Sequence, residues 1–476
     1  MGFAHGLAVV LVIFEGIIIL CEGTGDPILS KQDAPTNDIR RKKATISLPS
    51  DVIEKIVSET DYRTIKEAVR WGIVPPTDPV MTRILQNHII LIKPLEFDGG
   101  IHEYYQHGEL FLRFGKYQEL TLFFDRFGNQ VKKIEFWYEN DVQHNEINEN
   151  IIKRFARNLE EVRIVIDGDE EFWEGISDEE NGIIFPEVKK FQLSGDSTRN
   201  EFKLNSIFPK LESFKLDGDV ADENCLANVK TLKELMLFTT DSIQEDQLKD
   251  IFANNENITK LTLSMPLMAE TMHWIAKYLT KLETLEVESP GEDFMLRKNN
   301  NPVYELPSVT HLNIIIDDND EIDEMFGIGN LSFDMPKMKK LTLEGYRPDD
   351  RIDNFIKQFE KLEILELFST EFDIVECIGK LKHIKEFTTT LFKNIFVTVE
   401  NMFKNFDTKS EWQTLKFVNF DDLFCRNYEA TLKEINEDKM KEINIHLAES
   451  MKPTWTLSHG EQIQTGEKYL MFKRDP

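Results

Sequence analysis

Residues 208–219, FPKLESFKLDGD, carry apolar side chains at Leu211, Phe214 and Leu216. Phe214 and Leu216 lie two residues apart, so on a strand their side chains fall on one face. Leu211 stands three residues earlier, and the turn Asp217-Gly218-Asp219 closes the segment. One such strand cannot bury its apolar side alone. It requires copies of itself stacked alongside.

The copies are present. Segments with this pattern begin at Tyr117, Val131, Leu159, Val188, Leu211, Leu232, Ile258, Leu282, Val309, Met338, Leu362, Ile384, Trp412 and Met440. After the short step from Tyr117 to Val131 the interval is about 21–29 residues, the leucine-rich-repeat period. Between the strands lie amphipathic stretches. Met268, Met272, Ile275 and Leu279 share one helical face, and Ile352, Phe355, Ile356 and Phe359 share another. Strand plus helix in each repeat predicts an α/β fold, a leucine-rich-repeat solenoid (horseshoe) with parallel strands on its concave side. The segments ELFLRF (109–114), ELTLFF (119–124) and KIEFWY (133–138) alternate and read as strands of the first, irregular repeats.

Along each strand, the residues that alternate with the buried ones face the concave side. Met236, Phe238, His311, Ile315, Glu366 and Phe368 are the candidate binding residues there. Met236, Phe238, Ile315 and Phe368 are apolar at positions expected to be exposed, which marks them as interface anchors.

The formal net charge of −29 argues against nucleic acid or an anionic membrane as the main partner. The four cysteines, Cys21, Cys225, Cys377 and Cys425, form no disulfide framework and no metal-binding pair. No metalloprotease, phosphate-loop, nucleophile-elbow or dinucleotide motif occurs, so no catalytic residue, cofactor or metal is expected. The acidic run Asp317–Glu324 lacks the glycine and glutamate spacing of a calcium loop. The expected activity is therefore protein binding, not catalysis.

Residues 1–23 read as a signal peptide with cleavage after Gly23, although the leading region has no Lys or Arg. An uncleaved anchor and an unusual cytosolic N-terminus are the alternatives. Residues 24–45 are a polar linker with the basic cluster Arg40–Lys43, and residues 46–90 are helical. The solenoid then occupies 91–450, and 451–476 form a cap broken into turns by Pro453, Gly460 and Gly466. Asn257 and Asn330 begin N-glycosylation sequons, and Asn257, just ahead of a strand, is expected to be partly shielded.

Within 46–90, the residues Leu48, Pro49, Asp51, Val52, Ile53, Lys55, Ile56, Asp61 and Ile65 resemble the start of an F-box. Thr60 departs from that pattern, and Pro75-Pro76 breaks the second helix early. The whole chain resembles F-box/leucine-rich-repeat proteins, the substrate receptors of Skp1–cullin ubiquitin ligases. With a secretory N-terminus it is similar to the secreted effector and venom members found in parasitic and gall-forming insects. The resemblance implies that Leu48, Pro49, Val52, Ile53 and Ile56 dock a Skp1-like adaptor and that the repeats hold a substrate protein. It also implies delivery into another organism's cells. The competing reading is an extracellular leucine-rich-repeat recognition protein with no ubiquitin role, whose N-terminal helices serve only as a cap.

Overall fold

The structure is a computed structural model. It describes residues 85–92, 101–106, 109–138, 142–166, 182–195, 204–218, 226, 229–238, 245–265, 269–288, 303–315, 331–344, 355–368, 383–390, 413–419, 455–461 and 468–474. The chain divides into two compact units. The first takes in described residues 85–89, 101–104 and 110–131, and the second takes in 90–92, 105, 106, 109 and the described residues from 132 onward.

The first strands among the described residues are β1 (Ile89–Ile92), β2 (Ile101–Gln106) and β3 (Glu109–Phe114). Helix α1 (Tyr117–Phe127) follows and corrects the sequence reading. The segment beginning at Tyr117, with ELTLFF inside it, is helix and not a repeat strand. Leu120, Phe123, Phe124 and Phe127 recur at helical spacing and are buried, while Leu122 stays 68% exposed. Rings of Phe123 lie 4.9 Å from Phe114 and 5.3 Å from Phe127, forming an aromatic core within the first unit.

The second unit is a parallel ladder. Its strands are β4 (Lys133–Tyr138), β5 (Glu161–Ile166), β6 (Lys190–Gly195), β7 (Ser213–Asp217), β8 (Glu234–Phe238), β9 (Lys260–Ser264) and β10 (Thr284–Glu288). They continue through β12 (His311–Ile315), β14 (Lys340–Glu344), β15 (Ile364–Phe368), β16 (Glu386–Thr390) and β17 (Thr414–Asn419). Each pairs in parallel with the next, so the twelve repeats from Val131 to Trp412 form one sheet in chain order. The two remaining short strands, β11 (Val303–Glu305) and β13 (Ser332–Asp334), pair in parallel with each other outside it. Two antiparallel strands complete the sheet: β19 (Lys468–Arg474) pairs with β17, and β18 (Trp455–Glu461) pairs with β19. The proposed fourteenth repeat at Met440 lies outside the described residues.

Registration is position on position. Phe191, Phe214, Leu235, Leu261 and Leu285 are successive partners, and Leu312, Leu341, Leu365, Phe387 and Leu415 continue the row. All are buried, as are the first and third apolar positions of each repeat where described. One carbonyl per repeat, at the residue before the strand, accepts two amides from the next repeat. Lys189 O takes the amides of Glu212 and Ser213, and Glu363 O takes those of Lys385 and Glu386. This backbone ladder is independent of side-chain identity and holds the register.

Behind the sheet lie helices α2 (Val142–Phe155), α3 (Leu204–Ile207), α4 (Glu245–Asn254) and α5 (Ala269–Tyr278). Met272, Ile275 and Leu279 are buried as their spacing implies, and so are Phe355, Ile356 and Phe359. Asn255 ends α4 inside the core. Its amide donates to Leu226 O of the previous repeat at 3.1 Å and to Ile251 O at 2.8 Å. Gly195 and Gly218, at the ends of adjacent repeats, have φ of 129° and 123°. A Cβ at Gly195 would collide with the Ile166 carbonyl, and one at Gly218 with the Gly195 carbonyl. Only glycine permits this stacking of strand ends. The second unit is a mixed α/β stack with a large parallel sheet, consistent with a leucine-rich-repeat solenoid.

Candidate functional site

The face of the ladder opposite the core is the candidate site. Side chains at the first, third and fifth residues of each strand point to it, giving the half-buried positions of the alternating burial pattern. Met236 and Phe238 lie on β8, Ile315 on β12 and Phe368 on β15; all are half-buried, not exposed. The reason at β8 is local. The Lys215 ammonium sits 4.7 Å from the Phe238 ring centroid and covers it.

These four residues do not form one patch. The fifth-position row runs Asp217, Phe238, Ser264, Glu288, Ile315, Glu344, Phe368, so carboxylates separate the apolar members. At about 4.8 Å per strand, Phe238 and Ile315 stand about 14 Å apart, and Ile315 and Phe368 about 10 Å. Apart from Met236, the third-position row is polar, with hydrogen bonds across strands. Glu286 accepts from Thr262 Oγ1 at 3.4 Å and from Asn313 Nδ2 at 3.1 Å. Glu366 accepts from Thr342 Oγ1 at 2.8 Å, and Lys340 Nζ lies 3.0 Å from it. Two carboxylates are thus held in fixed orientation by their neighbours in the row. His311 is exposed at the start of β12, and its Nδ1 lies 2.8 Å from Thr310 Oγ1. Desolvation, then the nearby Lys340 and Lys339 ammoniums, lower its pKa.

Sequence reasoning missed a charged cluster on the same face of β4 and β5. Arg163 Nη2 bonds Glu109 at 2.6 Å and Glu161 at 2.5 Å. Burial alone would lower the Arg163 pKa, but the bond to Glu109 and the attraction of Glu161 outweigh it and raise it. Burial pushes the Glu135 carboxyl up, against the hydrogen bond from Trp137 Nε1 at 3.2 Å and the charge of Arg163. Glu135, Glu161 and Arg163 all occupy face positions of KIEFWY and EVRIVI, so the alternation that located Phe238 could have found them. The cluster ties β3 to β5, and one guanidinium serves two carboxylates.

The remaining sequence-derived sites divide by coverage. Asn257 is half-buried; its amide nitrogen, the atom a glycan would occupy, donates to Lys230 O at 3.4 Å, and its oxygen accepts from Lys281 at 2.6 Å. Asn330 and the F-box-like Leu48, Pro49, Val52, Ile53 and Ile56 lie outside the described residues. Among the described residues no group of three His, Cys, Asp or Glu side chains could hold a metal ion. Among them, too, no helix is long and apolar enough to cross a membrane.

No protein-family model matches the chain, and no curated protein matches it. Among solved structures the chain is similar to a crystal structure of a TLR13–ssRNA13 complex, at 15% identity and a TM-score of 0.30. The match covers 60% of this chain and 44% of that one, so it spans less than half the length of the TLR13 chain. At that score the likeness adds nothing to the register and burial described above.

Proposed function

We propose that this chain is a non-catalytic protein-binding scaffold whose open sheet face holds a partner protein. The observation that carries it is the mixed surface of that face. Apolar Met236, Phe238, Ile315 and Phe368 share it with the oriented carboxylates Glu286 and Glu366. A partner that covers the apolar groups and donates to the carboxylates gains from both, and partly buried apolar anchors carry most of an interface's energy.

Photocrosslinking from positions 236 and 315 of the full chain, in extract of the cells it acts in, tests this. A discrete adduct from both positions, absent when the probe is at Lys233 on the edge of the sheet, is the expected result. Equal labelling from all three, or none from the face positions, rules out the open face as the binding surface.

The finer reading is that residues 46–75 dock a Skp1-like adaptor and that the open face presents a target to a ubiquitin ligase after secretion. Its support is the motif residues Leu48, Pro49, Val52, Ile53 and Ile56. Purified Skp1 should be retained by residues 24–476 and lost with Ile53→Asp. If unmutated protein fails to retain Skp1 at tens of micromolar, the scaffold acts without a ubiquitin role.

A further inference from the structure

The N-terminal edge of the ladder shows how this fold places charge. Two rows run along it: the residue immediately before each strand, and the residue three before the first strand position. In both, the lysines outside β14–β16 other than Lys189, and Lys385 before β16, meet an acceptor on the adjacent repeat. Lys132 lies 3.0 Å from Glu160, Lys233 3.0 Å from Glu212, and Lys385 3.1 Å from Glu363. Lys210 lies 2.7 Å from Glu187, and Lys281 donates to Asn257 at 2.6 Å. The Lys210 ammonium holds the Glu187 carboxyl below the ordinary range, through its hydrogen bond first and its charge second.

The pattern changes at β14–β16. The outer row there reads Lys337, Lys361, His383 on three successive repeats, all exposed. Lys339, in the inner row, is exposed beside them. None of these four side chains has an ion-pair partner among the described residues. Elsewhere in that row, from Gln130 to Ser308, no three basic residues follow one another. The four converge on an open groove of about 890 Å³, which Thr310, Glu360 and Glu363 also line. The depressed basicity of the neighbouring His311 follows partly from the same positive surroundings.

We propose that this groove binds a short acidic segment of a partner protein. The ligand chemistry is carboxylates on an extended chain. Successive members of the row stand one strand spacing apart, about 5 Å, and carboxylates at i and i+2 of an extended peptide fall on one face about 7 Å apart, within reach of the flexible lysine side chains. A continuous polyphosphate fits less well. Glu363 is paired with Lys385, but the exposed Glu360 interrupts the lysines and would face its charges, whereas a peptide can set a neutral residue opposite it. The net charge of −29 also repels a long polyanion. A segment with a few charges responds instead to groups within the roughly 8–10 Å screening length, where the lysines dominate. The groove lies on the edge of the ladder and not on the open face, so the two sites can engage different parts of one partner.

Fluorescence anisotropy with the full chain tests the proposal. The probe is a labelled ten-residue peptide with aspartate at alternate positions, compared with its asparagine counterpart. The aspartate peptide should bind saturably and weaken with salt, and the asparagine peptide should not bind. Lys337→Ala/Lys361→Ala should weaken binding about tenfold, the loss of two exposed charge contacts. Lys210→Ala, which removes a paired lysine from the same row, should change it less than about twofold. Lys337→Gln/Lys361→Gln keeps the side-chain length and should reproduce the loss, separating charge from fold. Absence of saturable binding at millimolar peptide overturns the proposal, as does equal binding by the double variants and the unmutated chain. If a single-stranded RNA of equal charge binds more tightly than the peptide, and loses it in the same variants, the site belongs to nucleic acid and the peptide reading fails.

Discussion

The core beneath β6 and β7 and the core beneath β16 fill the same layers of the stack in opposite ways. Under β6 and β7 the rings of Phe185, Phe208, Phe191 and Phe214 stack in series, with centroids 4.4–5.5 Å apart. Under β16 Phe387 holds the second apolar position, but the third is Thr389, 1% exposed and with no hydrogen-bond partner for its hydroxyl among the described residues. Both regions keep the same register and the same paired amides on one carbonyl. The backbone ladder therefore sets the geometry, and side chains set how much each layer contributes. In a stack where each repeat touches only its neighbours, a weak layer is tolerated because strong ones lie beyond it.

The largest test of this contrast is Phe214→Ala, which removes a ring from the stacked series. It should cost about 3–5 kcal/mol in urea denaturation. A loss near 1 kcal/mol would mean the aromatic core is not the strong layer. Gly195→Ala attacks the ladder instead of the core. Its positive φ and the close Ile166 carbonyl should make it lose more than about 1 kcal/mol. Unchanged stability would show that the strand ends can separate freely.

Thr389→Val acts in the other direction. Replacing an unpartnered buried hydroxyl with a methyl should stabilise by about 1 kcal/mol. Destabilisation would mean that the hydroxyl is bonded after all and that the two layers are more alike than described. Phe238→Ala, on the open face of the same sheet, should cost about 1 kcal/mol, from partial burial and the loss of the Lys215 contact. A loss equal to that of Phe214→Ala would reverse the assignment of faces.

The smallest effect concerns Glu135. Its folded pKa is raised, chiefly by burial, so the ionised carboxylate weighs against folding at neutral pH. The stability it contributes is fully present below its unfolded pKa near 4.5 and is lost as pH rises through the raised value. Glu135→Gln should therefore melt slightly higher than the unmutated chain at pH 7, with the gap closing towards pH 4. A gap that widens on acidification would mean that Arg163 outweighs burial.

The twelve repeat strands were legible because two periods coincide, alternation within a strand and the recurrence between strands. Neither depends on long-range contacts. The misread segment at Tyr117 shows the limit of that signal. Leu120, Thr121, Leu122, Phe123 and Phe124 can be parsed as alternation or as a helical face. The buried set Leu120, Phe123, Phe124 and Phe127 decides it, because that spacing closes on one side only at 3.6 residues per turn. The face of Met236, Phe238, Ile315 and Phe368 was legible as a list of positions. That carboxylates divide it was not, since neighbours in the row come from separate repeats.

The sequence by itself determined the repeat, its register and which side of each strand is buried, because period-two alternation leaves one apolar side per strand. Only the tertiary structure decided which charges meet. Lys210 and Glu187 are 23 residues apart and pair, whereas Glu360 and Lys337 are as far apart and do not. In-register stacking brings the same position of successive repeats together at about 4.8 Å per strand, so the partner of each side chain is fixed by the neighbouring repeat.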